Sequence, residues 1–342
     1  MRLFTTEQVS KYHPDKYADQ ISDAILTECL KQDKHSHCGI ETMVKDTTVI
    51  LAGEITTNAV IDYNAIVKRI ANKLGYKVKK IINLIGKQSR EINSAVESDE
   101  NIGAGDQGIM FGYASAMTES FLPFAFDLAN KIIKTIENNV HRGILQGDAK
   151  CQVTVDLDKP QTMESVEKVL VSVCHSKKYT LDQIKAYIRA LLNFIPKDKL
   201  IINPSGEWTI GGPIADCGLT GRKIVCDQYG GFCPVGGGAF SGKDPSKVDR
   251  SASYMARKIA VDLVKKFKFN EVTVQLAYMI GVARPMSINV EVDGHDDLRM
   301  TKYVTYNYDL TPKGIIEHLD LYNQDYEKIA EGCHYRKEGT RI

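Results

Sequence analysis

The 342-residue sequence lacks a long apolar run, and its longest candidate, residues 276–283, spans only eight positions. A helix that crosses a membrane needs about 18 or more such residues, so we expect no membrane-spanning segment and no membrane partner. The first 16 residues also lack the apolar segment of a secretory signal peptide. These two absences predict a cytoplasmic protein.

The sequence has no excess of either charge: 44 Lys and Arg residues stand against 43 Asp and Glu residues, for a net charge of +1. Proteins that bind nucleic acids generally depend on clustered cations facing phosphates, so we expect no nucleic-acid partner. The 43% hydrophobic and 25% charged content is that of a folded globular protein. Its length indicates two or three domains.

The eight cysteines form no Cys-x-x-Cys pair and have no paired histidines nearby. Dispersed cysteines in a chain of this length are typical of reduced core residues. This pattern argues against both a zinc site and a disulfide framework.

Three β-rich blocks recur at intervals of roughly 110 and 120 residues; they are residues 40–55, 150–157 and 271–292. A helical pattern follows each block, which indicates three related units. Hairpin-like strand pairs interleaved with helices favour an α+β fold over a parallel α/β sheet.

Further helices are predicted over residues 16–32, 123–140 and 246–267. Ser246 is the predicted N-cap of the last of these. Thr180 and Gln183 have the spacing of a capping box at the start of the helix that follows the second block.

Glycine is concentrated in one segment, because 11 of the 26 glycines fall within residues 206–242. Glycine lets a backbone approach a ligand closely, and here it is interleaved with charged residues, which favours a ligand-binding surface over a set of sharp turns. Residues 216–250 contain five basic and four acidic residues. Mixed charges of this kind suit a small anionic ligand carried with metal ions.

Residues 237–243 match the phosphate-loop pattern G-x-x-x-x-G-K, but Asp244 stands where Ser or Thr should bind Mg²⁺. A P-loop kinase is therefore nearly excluded. Lys243 and Lys247 flank a predicted helix start, which indicates an anion site formed by the helix dipole, free N–H groups and ammonium charge. The alternative is that both lysines only solvate the helix end.

A second candidate site lies at the predicted start of the first helix. Pro14 fixes the entry to this helix, so His13 can face a ligand there. Asp15 fits the role of Mg²⁺ ligand and that of N-cap equally well. Asp19 and Asp23 follow at four-residue spacing, which is typical of a solvated face or of salt bridges.

A third candidate is the segment 103–108, which matches G-x-G-x-x-G. It follows a polar stretch and not a strand, so the match is weak evidence for a dinucleotide site. The polar stretch, residues 90–101, is typical either of a mobile loop that covers a site or of an ordinary surface loop.

Taken together, four motifs resemble the S-adenosylmethionine synthetase (methionine adenosyltransferase) family. They are residues 10–16 (SKYHPDK), 103–108 (GAGDQG), 210–223 (IGGPIADCGLTGRK) and 236–250 (GGGAFSGKDPSKVDR). The resemblance extends over residues 4–335, which is nearly the whole chain.

The resemblance implies an α+β fold of three similar α/β-sandwich domains related by pseudo-threefold symmetry. In sequence order we expect divisions at residues 1–100, 101–209 and 210–342, although the structural domains can interleave. It also implies a homodimer or homotetramer with active sites between subunits. The implied reaction joins L-methionine to ATP and displaces tripolyphosphate, which is then hydrolysed to phosphate and pyrophosphate.

The resemblance also implies the site residues. The catalytic residues would be His13, Lys150, Arg222 and Lys243. ATP would contact His13, Asp148, Lys150, Trp208, Asp216, Arg222, Lys223, Ala239 and Lys243. Methionine would contact Glu54, Gln88, Asp106, Asp216 and Lys247. Two Mg²⁺ ions per site would involve Asp15 and Asp249, and a K⁺ ion would involve Glu41. Residues 88–101 would gate the site.

The sequence departs from the family pattern at several positions. Lys11 and Tyr12 replace the usual acidic residue and glycine, Gly147 replaces a proline, and Glu207 stands where a basic or small residue is common. These departures motivate one alternative hypothesis, a non-catalytic regulatory paralogue that binds ATP. The complete set of charged site residues favours the enzyme.

Overall fold

The computed structural model of the chain describes residues 1–87, 97–98 and 101–335. The described strands are β1 (Leu3–Val9), β2 (His37–Lys45), β3 (Thr48–Thr56), β4 (Lys80–Gly86), β5 (Glu97–Ser98), β6 (Asn101–Ile102), β7 (Gly108–Ser115), β8 (Leu145–Asp156), β9 (Val166–His175), β10 (Leu200–Ile202), β11 (Gly218–Leu219), β12 (Glu271–Tyr278), β13 (Ser287–Val292) and β14 (His295–Asp296). The described α-helices are α1 (Pro14–Gln32), α2 (Tyr63–Leu74), α3 (Phe124–Glu137), α4 (Leu181–Leu191), α5 (Ile224–Asp227), α6 (Val248–Phe267), α7 (Leu298–Asn307), α8 (Pro312–Leu319) and α9 (Tyr326–Ile329).

Three four-stranded sheets carry the fold, with the strand orders β11-β2-β3-β4, β1-β8-β9-β10 and β7-β12-β13-β14. An antiparallel hairpin forms the centre of each sheet: β2–β3, β8–β9 and β12–β13. One helix precedes each hairpin (α1, α3 and α6) and another follows it (α2, α4 and α7). The three related α+β units predicted from the spacing of the β-rich blocks are therefore confirmed.

The first strand of each sheet comes from a different part of the chain. Strand β1 precedes α1 but pairs with β8, β7 precedes α3 but pairs with β12, and β11 precedes α6 but pairs with β2. Each unit thus donates the strand before its first helix to the next unit, in a closed cycle of three. As a result, each sheet combines strands from two of the three sequence-order divisions.

Helix α1 lies at the centre of the molecule, and 16 of its 19 residues are buried. Its apolar stripe includes Ile21, Ile25 and Leu26 and packs in the larger core cluster. The smaller cluster fills the unit built on β8 and β9. Because α1 is buried on nearly every side, its charged side chains must find partners within the protein.

Two of the predicted helix starts can be compared with the structure. The capping box is confirmed: Gln183 N donates to Thr180 Oγ1, and Thr180 N donates to Gln183 Oε1. The prediction of Ser246 as N-cap is wrong, since α6 begins at Val248 with Lys247 as its cap. Ser246 N instead donates to the Asp244 carboxylate in the preceding turn, at 2.8 Å.

None of the eight cysteines, all of which lie among the described residues, forms a disulfide; seven are buried and Cys217 is half-buried, which is the burial expected of core residues. Helix α3 ends at Glu137, three residues earlier than predicted, and Val140 lies in a separate 3-10 turn. Among the described helices, none has the length and apolar character that crossing a bilayer requires.

Candidate active site

Three aspartates on one face of α1 hold the glycine-rich segment in place. Asp15, Asp19 and Asp23 recur every four residues, and their carboxylates accept backbone N–H groups from Leu219 (3.0 Å), Gly221 (2.8 Å) and Gly242 (2.8 Å) respectively.

Buried cations neutralise the last two of these aspartates. Lys16 pairs with Asp19 at 3.0 Å, and Arg250 pairs with Asp23 at 2.6 Å. Of the alternatives for the four-residue spacing, salt bridges are confirmed, and the face is buried rather than solvated. The same row of carboxylates therefore supports the helix and the loops that surround the site.

His13 is the N-cap of α1, and its Nδ1 accepts the Asp15 backbone N–H at 3.1 Å. The N-cap alternative for Asp15 is therefore wrong. The pKa of His13 is lowered to about 3, chiefly because the ring is buried. The ammonium of Lys223 also lowers this pKa, and its effect is larger than the opposite effect of the Asp15 carboxylate. The ring is neutral at physiological pH, and because Nδ1 is an acceptor, Nε2 carries the proton and can donate a hydrogen bond.

Asp15 is buried and pairs with Lys223, whose Nζ lies 2.6 Å from Oδ2. Burial tends to raise the pKa of Asp15, but Lys223 and the Leu219 N–H outweigh it and keep the pKa below its usual value. Arg222 is half exposed, with its Nε 3.8 Å from Asp15 Oδ1. The start of α1 thus presents a carboxylate, two cations and a neutral imidazole together.

Asp148, in β8, is the buried carboxylate on the opposite side of this cluster. Its Oδ2 accepts the Gly212 N–H at 2.7 Å, while its Oδ1 is buried without a hydrogen-bond partner among the described residues. Burial raises the pKa of Asp148 to about 6, against the opposing charge of Lys150. The charges of Lys150 and Asp216 act on both Asp148 and His13, so these four predicted residues belong to one cluster.

The opposite end of the site is a pocket of about 370 Å³. Four of the residues that form it were predicted from the sequence: Glu41, Glu54, Ala239 and Lys243. A Cβ added at Gly221 would lie 2.5 Å from the Ala239 Cβ, so the segment next to Arg222 borders this pocket. The cluster at His13 and the pocket at Glu54 are therefore adjacent parts of one site.

The lysines of the glycine-rich segment are paired with carboxylates. Lys243 Nζ lies 2.5 Å from Asp249 Oδ2, and Lys247 Nζ lies 2.8 Å from Asp244 Oδ2. Both ammonium groups of the predicted anion site therefore form ion pairs within the protein, and their binding of an anion stays a prediction. The Asp244 carboxylate also accepts the Cys38 N–H at 2.7 Å, which makes it a structural residue and agrees with the exclusion of a P-loop.

Trp208 is connected to Asp148 through the chain that follows it. Its indole N–H donates to the Ile210 carbonyl at 2.8 Å, and a Cβ at Gly211 would lie 3.0 Å from the Asp148 Cβ.

Asp106 is exposed, and a Cβ at the preceding Gly105 would lie 4.0 Å from Lys247 Cδ. Residues 103–108 lead into strand β7 and not into a helix, so they do not form a dinucleotide fingerprint.

Gln88 and most of the predicted gating segment, residues 88–101, lie outside the described residues.

Two larger concavities lie away from the predicted site: one of about 650 Å³ beside Tyr113 and Glu271, and one of about 470 Å³ beside Arg284 and Tyr308. Neither contains a predicted site residue. Size alone therefore does not identify the site.

Comparison with protein-family models matches the whole chain in three consecutive parts. The models are the S-adenosylmethionine synthetase N-terminal domain at residues 1–99, its central domain at 101–208 and its C-terminal domain at 210–341. The chain belongs to the S-adenosylmethionine synthetase family.

Individual relatives agree with this membership. An S-adenosylmethionine synthase of Mycoplasmopsis pulmonis is 44% identical over 98% of this chain and 94% of its own length, and one of Helicobacter pylori is 41% identical over 98% and 93%. A solved structure, an unusual S-adenosylmethionine synthetase from Campylobacter jejuni, matches with a TM-score of 0.88 and 32% identity over 97% of this chain and 94% of that one. The α+β three-domain fold is thus shared with a member of the family.

Sequence reasoning missed several residues that shape the site. Ser241 lines the pocket, and its buried hydroxyl has no hydrogen-bond partner. Tyr76 is half-buried beside the His13 segment, and its hydroxyl donates to the Tyr12 carbonyl. Tyr76 lies in none of the four motifs. Ser241 lies within the motif at residues 236–250 but carries no charge that singles it out, so only its position in the fold identifies it.

Proposed function

We propose that the chain synthesises S-adenosyl-L-methionine from ATP and L-methionine. The methionine sulfur attacks C5′ of ATP, an S–C bond forms, and the C5′–O bond breaks to release tripolyphosphate. Water then splits tripolyphosphate into phosphate and pyrophosphate. Family membership over all three domains supports this reaction, as do the named synthases that share about 40% of the sequence.

The observation that carries the proposal is the concentration of cations and hydrogen-bond donors around His13. A thioether sulfur is already nucleophilic and has no proton to lose, so the reaction needs no general base. It does need stabilisation of a leaving group with several negative charges, which preorganised cations and donors supply. We propose Lys150, Arg222, Lys223 and Lys243 as the cations and His13 Nε2–H as a donor.

The two substrates would occupy adjacent ends of this site. We propose that ATP lies between His13 and Asp148, next to Trp208 and Ala239. Methionine lies in the pocket beside Glu54, with Asp216 between the two. Lys247 is held by Asp244, so we propose that it contacts methionine only if this pair opens. The proposed contacts of Gln88 and Asp106 complete the methionine site.

The acidic residues fit a metal that arrives with the nucleotide. In the part of the chain that the structure describes, no group of three or more His, Cys, Asp or Glu side chains could hold a metal ion. Mg²⁺ usually binds through one or two carboxylates together with substrate phosphates and water. We propose that Asp15 and Asp249 hold two Mg²⁺ ions in this way, and that Glu41 holds K⁺. When bound, Mg²⁺ neutralises charge on the phosphates.

We further propose a homodimer or homotetramer with sites between subunits. Glu41, Ala52 and Leu84 lie side by side across β2, β3 and β4. Glu41 is exposed and lines the pocket, and Leu84 is 64% exposed. A second subunit on this face would cover the apolar side chain and close the pocket at the same time. Light scattering after size exclusion measures the assembly.

Mass spectrometry of the purified protein with ATP, L-methionine, Mg²⁺ and K⁺ tests the reaction. We expect S-adenosylmethionine, phosphate and pyrophosphate in equal amounts, and none of the sulfonium product without methionine. Chelation of the metal should stop product formation, and added Mg²⁺ should restore it. Binding of ATP without any sulfonium product would instead support the regulatory paralogue.

The positions that motivated the paralogue do not displace site residues. The Lys11 backbone N–H donates to Glu137 at 2.7 Å, and its ammonium lies 3.7 Å from Glu331. Glu207 is exposed. The structure therefore favours the synthetase over its alternative.

A further inference from the structure

Tyr12 and Gly147 interlock at the boundary between the His13 segment and β8. Gly147 has a φ of +98°, and a Cβ added there would lie 2.5 Å from Tyr12 Cγ and 2.8 Å from each Cδ. The Tyr12 ring therefore occupies the space in which a side chain at position 147 would lie. Real Cβ atoms essentially never approach other atoms below 3.0 Å, so only glycine fits beneath this ring.

Tyr76 makes the corresponding contact on the other side of Asp148. A Cβ added at Gly212 would lie 2.6 Å from Tyr76 Cε1, and the Gly212 N–H is the donor that holds the Asp148 carboxylate. The Tyr76 hydroxyl donates to the Tyr12 carbonyl. Contacts thus run in a closed loop from Tyr12 to Gly147, along the chain to Asp148, and back through Gly212 and Tyr76.

The backbone of the His13 segment is attached to the same strand. Ser10 N donates to the Ala149 carbonyl at 2.9 Å, and Ser10 Oγ donates to the Gly147 carbonyl at 2.7 Å. This set of contacts therefore connects the His13 segment with Asp148. The two tyrosine rings fill the space within it.

We propose that Tyr12 and Tyr76 are positioning residues that set the distance between His13 and Asp148, and so pre-form the nucleotide half of the site. Neither ring needs to touch the reacting atoms. Each acts through a glycine that precedes or contacts Asp148. This inference rests on the proposed function, because it assigns ATP to the site between His13 and Asp148.

The decisive experiment combines Gly147→Ala with Tyr12→Gly. The added methyl group should displace the ring or the strand by about 1 Å, and a misplacement of that size lowers rates by about 100-fold. We expect Gly147→Ala to lower kcat/KM for ATP by about that factor, mainly through KM for ATP. Tyr12→Gly alone should also raise KM for ATP, but by less, because the ring that sets the spacing is lost and no clash is added. In the double variant the methyl group meets no ring, so kcat/KM for ATP should recover to that of Tyr12→Gly alone. KM for methionine should stay within about twofold in both variants.

Matched controls separate the contact from backbone strain. Gly294 also has a positive φ (+81°) but no atom within 4 Å of an added Cβ, so Gly294→Ala should leave kinetics unchanged. Tyr76→Phe removes the hydrogen bond to Tyr12 and should raise KM for ATP. Tyr17→Phe removes a buried hydroxyl that has no hydrogen-bond partner, and should not.

A double variant no more active than Gly147→Ala would overturn the proposal, and so would a Tyr12→Gly variant whose KM for ATP is unchanged. So would variants that lose only thermal stability while their KM for ATP is unchanged. Calorimetric titration with ATP on the same proteins distinguishes this failure from failure of the proposed reaction. If the unmodified protein forms no sulfonium product, the ATP affinities still show whether the rescue occurs.

Discussion

The ion pair between Asp23 and Arg250 gives the sharpest test of how α1 supports the site. Both side chains are fully buried, and the guanidinium makes two hydrogen bonds to the carboxylate, at 2.8 and 2.6 Å. Arg250 also donates to the Lys243 carbonyl at 3.0 Å. Replacing Arg250 by Met would leave the Asp23 carboxylate buried with only the Gly242 N–H. Removing one partner of a buried pair destabilises a protein by about 3–5 kcal/mol.

Urea unfolding of Arg250→Met at a fixed protein concentration should therefore show a free energy of unfolding lower by about 3–5 kcal/mol. Lys258→Met is the matched control, because Lys258 lies on the same helix and pairs with Asp262 near the surface, where each side chain is 30% exposed. An i,i+4 pair of this kind contributes about 0.5 kcal/mol or less. Equal effects of the two substitutions would refute the reasoning that burial determines the penalty. If Arg250→Met does not fold, Arg250→Lys should give a smaller loss in the same direction.

Three other changes have defined outcomes. Lys243→Met should lower kcat for synthesis, measured by product formation, by about 100-fold, because one preorganised cation is lost. Unchanged activity would show that Lys243 does not take part in the reaction. Asp148→Asn should raise thermal stability more at pH 7 than at pH 4. Because burial raises the pKa of Asp148 to about 6, its carboxyl becomes ionised and destabilising as the pH rises through that value. A gain in stability that does not change with pH would contradict this. Gly112→Ala should reduce the free energy of unfolding, measured by urea titration, by about 1–3 kcal/mol, because the added Cβ would lie 2.0 Å from the Ala256 backbone. An unchanged free energy of unfolding would show that β7 can shift away from α6 at no cost.

The sequence was enough to predict the repeated α+β units, because alternation and helical periodicity are local signals. It did not predict that β1, β7 and β11 each pair within the next unit. Tertiary packing determines which strands pair, so the residues of a strand do not by themselves predict its partner. Ser246 was likewise a good N-cap by type, but α6 begins two residues later, and the Ser246 hydroxyl lies against His37 Nδ1 and Lys247 Nζ instead.

The site was predictable as a set of residues and not as a set of pairs. His13, Asp15, Asp148 and Lys223 do lie together, because the motifs that contain them meet at the start of α1. The sequence did not indicate the ion pair between Lys247 and Asp244, because Asp244 was considered only as a failed metal ligand.

Two departures from the family pattern that were considered separately, at Tyr12 and Gly147, are in fact in contact. The bulk added at position 12 occupies the space left at position 147. The ring therefore enters space that this chain leaves open.

The pairing of the cations suggests why the site can accept a highly charged substrate at little electrostatic cost. Lys223 holds Asp15 and Lys243 holds Asp249, so two of the four proposed phosphate ligands are partners of the proposed Mg²⁺ ligands. A phosphate that attracted Lys243 alone would leave Asp249, which is only 14% exposed, without a counter-charge. A nucleotide that arrives with its metal supplies a new partner to both groups at once. The four side chains are therefore neutralised before binding and after it, and the favourable interactions of the cations remain available for the leaving group.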